Sequence, residues 1–440
     1  MSKFFNVLAF LSSVASVLGD YTPEALADQV TNLPGAENLE IKFNQFSGYI
    51  KINGTKNMHY WMVESERDPV NDPIAFWTNG GPGCSGLLGF LTEQGPFRTD
   101  NKDLTLSANP WSWNKISNMV FIEQPCGVGF SYTDNEAGDD YTTDDATAAK
   151  DNYALIQGFL ERFPQFRSNP LYVTSESYGG HYMPTVSKEI VDRNKAGLDK
   201  AINFQGFFLG NPATTFQSTT PASLETFWGH QLVSKPLWDQ YTDNCITPII
   251  KNVSICSELF TLMYVENRGL NPYALDYPVC TEDGKSNAGK AKKNGRAQRT
   301  WLMNHILPSL FTVEAGADGK YLLSAEHNEK LNQIKKTIGL QPVDGYEPCA
   351  DDYMTLFLNQ DSVKAALHVN SAIVWADCSR TIRYKQSDGH HDMTPYYNYL
   401  IDGKFGLNIV VYSGDDDDVC ATSGTQGWIW DLGYKVKLCL

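Results

Sequence analysis

The ten residues Leu171–Gly180, LYVTSESYGG, constrain the fold more than any other stretch of the chain. A β-type apolar run, Leu171, Tyr172 and Val173, runs into a serine set among small residues, and a helix-like stretch follows. This is the layout of a nucleophile elbow, a sharp strand-to-helix turn that lifts one serine hydroxyl, here Ser177, clear of a parallel sheet. The turn is strained and its backbone lies close to its neighbours, so small residues must flank it. Ser175 stands where glycine is usual, and Gly179 and Gly180 follow the serine.

Candidate core strands are Ile74–Thr78, Met119–Glu123, Leu171–Thr174, Phe204–Leu209 and Asn408–Tyr412. They alternate with helical patterns, which predicts an α/β chain with a mostly parallel central sheet. Several run straight into Gly-, Pro- or Ser-rich turns, among them Asn79–Gly83, Gln124–Gly127 and Gly210–Pro212. Ligands of open α/β sheets bind beyond the carboxyl ends of strands, so these turns are expected to line one face. From Thr214 to Tyr346 the strand rhythm gives way to a mainly helical cap insertion. Within it Glu282–Arg299 is basic and almost without apolar side chains, the composition of a solvated, protease-sensitive loop. The expected division is a signal peptide at 1–19, a first core part at 20–213, the cap at 214–346 and a second core part at 347–440.

Lys3 precedes an apolar run, Phe4–Leu18, that ends in small residues, as a secretory signal peptide does. The expected location is the secretory pathway, with a secreted or a vacuolar or lysosomal destination. No later stretch is apolar for long enough to span a bilayer. The 51 acidic against 35 basic residues give a net charge of −16, which argues against nucleic acid or an anionic membrane as partner. Two sequons, at Asn53 and Asn252, are candidate glycosylation sites. Nine cysteines predict disulfides with at least one free thiol, and no CxxC spacing suggests structural zinc.

An acyl-transfer serine needs a base, an orienting acid and two donors for the oxyanion. In this architecture one donor is the amide after the nucleophile, here Tyr178. The loop Asn79-Gly80-Gly81-Pro82-Gly83 suits the other donor, although such a run taken alone reads more readily as an ordinary tight turn.

Four blocks together resemble the serine carboxypeptidases: Thr78–Gly86 (TNGGPGCSG), Phe121–Tyr132 (FIEQPCGVGFSY), Glu176–Tyr182 (ESYGGHY) and Tyr412–Asp417 (YSGDDD). The resemblance implies an α/β-hydrolase fold and release of C-terminal amino acids from peptides through an acyl-enzyme, with no metal or organic cofactor. It assigns Ser177 as nucleophile, Asp417 as triad acid, and the Gly81 and Tyr178 amides as oxyanion hole. It gives Asn79, Gly80, Glu93 and Glu176 the substrate's terminal carboxylate. Two neighbouring glutamates do not both ionise cheaply, so one is expected to keep a proton and donate it, favouring acidic pH. Trp77 would wall that site, Tyr178 would join the P1 pocket, and Leu88 and Thr92 would lie near P1′. The family pattern implies the disulfides Cys84–Cys378, Cys245–Cys256 and Cys280–Cys349. Of the remaining Cys126, Cys420 and Cys439, Cys420 matches a free thiol of some members.

The resemblance places the base in a Gly-His-x-x-Pro turn well beyond Asp417, following further strands. All eight histidines precede Asp417. The sheet's terminal strands are therefore expected to be missing and the 440-residue form to be inactive as given, a truncated gene model or a real short form. His181 should point away from the Ser177 hydroxyl. Alternative readings are a carboxypeptidase-like acyltransferase and a non-catalytic secreted binding or protective protein. A homodimer is left open.

Overall fold

The computed structural model describes residues 21–135, 138–245, 253–267, 270–277, 313–315, 321–323, 349–385 and 387–435. The expected signal peptide, Asn252, Cys280, Glu282–Arg299 and Cys439 lie outside them. The chain divides into two units, Met1–Phe216 with Tyr353–Tyr412, and Gln217–Asp352 with Ser413–Leu440.

The first unit begins its sheet with a hairpin, Gln45–Ile52 (β1) and Lys56–Val63 (β2), paired antiparallel. Its turn residues Asn53 and Gly54 have φ of 51° and 78°, the left-handed pair that a tight hairpin turn needs. β2 is buried along its whole length, polar residues included. Lys56 meets Asp151 at 2.6 Å and His59 meets Glu123 at 2.8 Å, so those side chains enter the core with partners.

The next elements are Ile74–Thr78 (β3), Leu87–Thr92 (α1), Asn118–Ile122 (β4), Tyr132–Thr133 (β5) and Asp145–Arg162 (α2). Leu171–Ser177 (β6), Gly179–Ala196 (α3), Phe204–Pro212 (β7) and Asn408–Tyr412 (β8) complete the frame. Strand order is β1-β2-β4-β3-β6-β7-β8, with β5 on β2. The pairs from β4 through β8 are parallel, whereas β2 meets β1, β4 and β5 antiparallel. The sheet is thus mixed, parallel at its centre and antiparallel where the hairpin joins it. Trp61 stacks on Phe90 at 3.9 Å, and Phe121 packs edge-on to Phe90, within the main apolar core.

Register positions the site. Thr78 pairs with Ser175, Gly210 with Glu176 and with Tyr412, and Pro212 with Ser177. The carboxyl ends of β3, β6, β7 and β8 therefore lie at one level.

The second unit holds helices Phe216–Gly229, Lys235–Cys245, Val253–Glu266 and Thr422–Asp431, and a small ribbon of Val313–Ala315 with Tyr321–Leu323. Leu224, Phe227, Val233, Tyr241, Leu259, Met263 and Leu275 form its core, beside the disulfide Cys245–Cys256. Among the described residues no helix is long and apolar enough to cross a membrane.

Candidate active site

Ser177 closes β6 at φ 53°. A non-glycine residue held there costs about 1–2 kcal/mol and persists only where its surroundings dictate the conformation. They do: Ala213 N–H donates to the Ser177 carbonyl at 2.8 Å, and the Ser175 hydroxyl donates to the Thr78 carbonyl at 2.6 Å. The Asn79–Gly83 loop lies directly against this turn. A Cβ on Gly80 would stand 2.5 Å from the Tyr178 nitrogen and 2.8 Å from Ser177 Cβ, so only glycine fits. Gly81 has φ 112°, a conformation that glycine alone takes without strain.

Tyr178 is the N-cap residue of α3, an 18-residue helix whose amino end carries partial positive charge toward the serine. Among the described residues no backbone carbonyl accepts from the Gly81 or Tyr178 amides. The disulfide Cys84–Cys378 pins the loop, and Ser379 N–H donates to the Gly83 carbonyl at 2.9 Å.

Beside the elbow the Asn79 amide is used at every atom. Its Oδ1 accepts from the Trp77 indole at 2.8 Å and from Gly89 N–H at 3.0 Å. Its Nδ2 donates to Glu93 at 3.0 Å and to Glu176 at 2.7 Å. Glu93 is the C-cap residue of α1, so a short helix delivers one carboxylate and the elbow strand the other. Two carboxylates converge on one neutral amide. Tyr412, quoted within a sequence motif but given no role there, belongs with them. Burial of its hydroxyl and then the charges of Glu93 and Glu176 push it above the usual phenol range.

Two histidines of this unit are committed elsewhere. His181 is buried, with Nδ1 3.1 Å from Asp145, and His59 spans Glu123 and Ser47, at 2.8 and 3.0 Å. The sequon residue Asn53 is exposed, and its side-chain amide donates to buried Asp151 at 2.8 Å. Cys126 is a buried free thiol that burial pushes up to about 12, and Cys420 is buried as well. Cys349 is disulfide-bonded.

In the second unit Asp417 accepts from the amides of Val419, at 2.9 Å, and Cys420, at 3.3 Å, as the acid of a tight turn. Its neighbour Asp418 is buried, with Ser223 3.2 Å from Oδ2 and, among the described residues, no partner on Oδ1. Burial, and then the Asp417 charge, push it up to about 6.

The mixed sheet, the strand–serine–helix turn and the loop laid against it define an α/β-hydrolase. The sequence model of the serine carboxypeptidase family matches residues 34–439, and the chain belongs to that family. Serine carboxypeptidase-like 25 of Arabidopsis thaliana is 32% identical over 424 residues, covering 94% of this chain and 81% of that relative. Serine carboxypeptidase-like 27 of the same plant is 31% identical, with 96% and 83% covered. The crystal structure of Kex1(delta)p, a prohormone-processing carboxypeptidase from Saccharomyces cerevisiae, shares the fold at TM-score 0.60 and 19% identity. That match covers 92% of this chain and 81% of the yeast chain.

Proposed function

We propose that the protein acts on peptide C-termini as a serine-type carboxypeptidase of the secretory pathway. The observation that carries this reading is the cradle in which Asn79 holds Glu93 and Glu176 together beside Ser177. Such a pair shares a proton below neutral pH and can donate it to an incoming carboxylate, a contact that an endopeptidase does not need. With the terminal carboxylate seated there, Gly80 and Ser177 lie at the last peptide bond. The Ser177 oxygen attacks the carbonyl, the oxyanion forms against the Gly81 and Tyr178 amides, and the amino acid leaves with a proton. Water then attacks the acyl-serine and frees the shortened peptide.

The triad acid in this reading is Asp417, and the base is a histidine that does not follow Asp417 in these 440 residues. The alkaline limit of binding is set by loss of the shared proton, since a dianionic cradle repels a carboxylate.

Hydrolysis of an N-blocked dipeptide ester, by wild type and by Ser177→Ala, tests the reading. The account predicts hydrolysis that Ser177→Ala abolishes. Hydrolysis equally fast in Ser177→Ala contradicts it.

A further inference from the structure

The residue that supplies one oxyanion amide, Tyr178, is buried by its side chain in a polar-aromatic cluster that the proposed chemistry does not use. At its centre is Asp145, the first residue of α2, itself buried. Oδ1 accepts from the Tyr178 hydroxyl at 3.1 Å and from the Tyr384 hydroxyl at 2.6 Å. Oδ2 meets His181 Nδ1 at 3.1 Å, and the Asp145 amide donates to Asp388 at 3.0 Å. A carboxylate is buried only at high cost unless donors surround it, and here three side chains do. Burial alone would raise the Asp145 carboxyl, but the hydrogen bonds from His181 and Tyr384 outweigh it and hold it below the usual range.

The cluster reaches both oxyanion loops. On one side the Tyr178 ring stacks on His181 at 4.4 Å, and its hydroxyl is tied to Asp145, which leaves the amide beside Ser177 little freedom. On the other side Tyr384, bound to the same Asp145 oxygen, packs edge-on against the Tyr182 ring at 6.3 Å. The Tyr182 hydroxyl accepts from the Gly83 amide at 3.2 Å, two residues beyond Gly81. One carboxylate thus connects the elbow to the glycine loop through two separate chains of contacts.

We propose that Asp145 is a positioning residue that latches the Tyr178 and Gly81 amides into a fixed mutual arrangement; this rests on the oxyanion role proposed above. It acts through the tyrosines and does not touch substrate. Because the carboxyl stays ionised in acid, the latch holds at the pH where the carboxylate cradle works.

Hydrogen exchange on the full chain tests it, read in peptides covering 78–86 and 176–183. Tyr182→Phe should raise exchange in 78–86 alone and Tyr178→Phe in 176–183 alone. Asp145→Asn should raise both by about tenfold, the loss of one charge-assisted hydrogen bond, and leave the β1–β2 hairpin unchanged. Should Asp145→Asn not fold, Tyr384→Phe keeps the carboxylate, removes the second arm and should free 78–86. Wild-type protection of either loop in Asp145→Asn, or of 78–86 in Tyr384→Phe, overturns the latch, as does loosening spread equally to the hairpin. Exchange reads the latch without turnover, so fluorophosphonate labelling of Ser177 decides the catalytic reading separately.

Discussion

Asp418 makes the second unit's stability depend on pH in a direction opposite to that of most carboxylates. Its folded-state value of about 6 stands above the ordinary 3.8, because the group is buried and the Asp417 charge is adjacent. Between those values the folded chain holds a proton that the unfolded chain has released. Stability therefore falls as pH rises from about 4 to about 6 and is level above. A shift of some two units corresponds to about 3 kcal/mol at most, at 1.36 kcal/mol per unit. Asp418→Asn carries no charge at any pH and keeps a donor and an acceptor for Ser223. The two proteins should match at about pH 4, and the variant should exceed wild type by up to about 3 kcal/mol at about pH 7.5. The assay is hydrogen-exchange protection in the peptide covering 413–421, taken as the difference between the proteins so that other titrating groups cancel. A difference that is the same at both pH values refutes the reasoning.

Other outcomes follow from single contacts. Gly80→Ala drives a methyl group into the Tyr178 nitrogen, so it should cost about 3 kcal/mol and abolish Ser177 labelling, read by thermal melting and a fluorophosphonate probe. Trp77→Phe removes the indole donor to Asn79 Oδ1 and should weaken binding of a free C-terminal carboxylate by roughly fivefold in calorimetry, about 1 kcal/mol. Lys56→Met leaves the buried Asp151 carboxylate without its cation and should cost about 3–5 kcal/mol in urea unfolding.

The elbow could be read from the sequence because its requirements are local: a β-type run, a serine and small flanking residues within ten positions. The neighbouring glycine loop was legible for the same reason. The latch was not, since Tyr384 meets Asp145 across 239 residues and neither lies in a motif. His181 could be set aside as the base, but its partner could not be named. The β1–β2 hairpin also escaped, because β2 buries Lys56, Asn57 and His59 among its apolar residues and so shows no two-residue alternation. Lys56 and His59 are buried because Asp151 on α2 and Glu123 just beyond β4 meet them. The Asn53 sequon is a hairpin turn whose asparagine amide binds Asp151, a contact that a three-residue pattern does not reveal.

The central claim is that Asn79, Glu93 and Glu176 form a receptor for a peptide's terminal carboxylate. Calorimetric binding of an N-blocked dipeptide and its C-terminal amide, at about pH 4.5 and about pH 7.5, tests it most directly. The account predicts that the acid binds at least about tenfold more tightly than the amide at the lower pH, one charge-assisted contact. That preference should shrink at the higher pH as the shared proton is lost, and Glu93→Gln should flatten the change. Equal binding of acid and amide at the lower pH, or a preference indifferent to pH in both proteins, would contradict it.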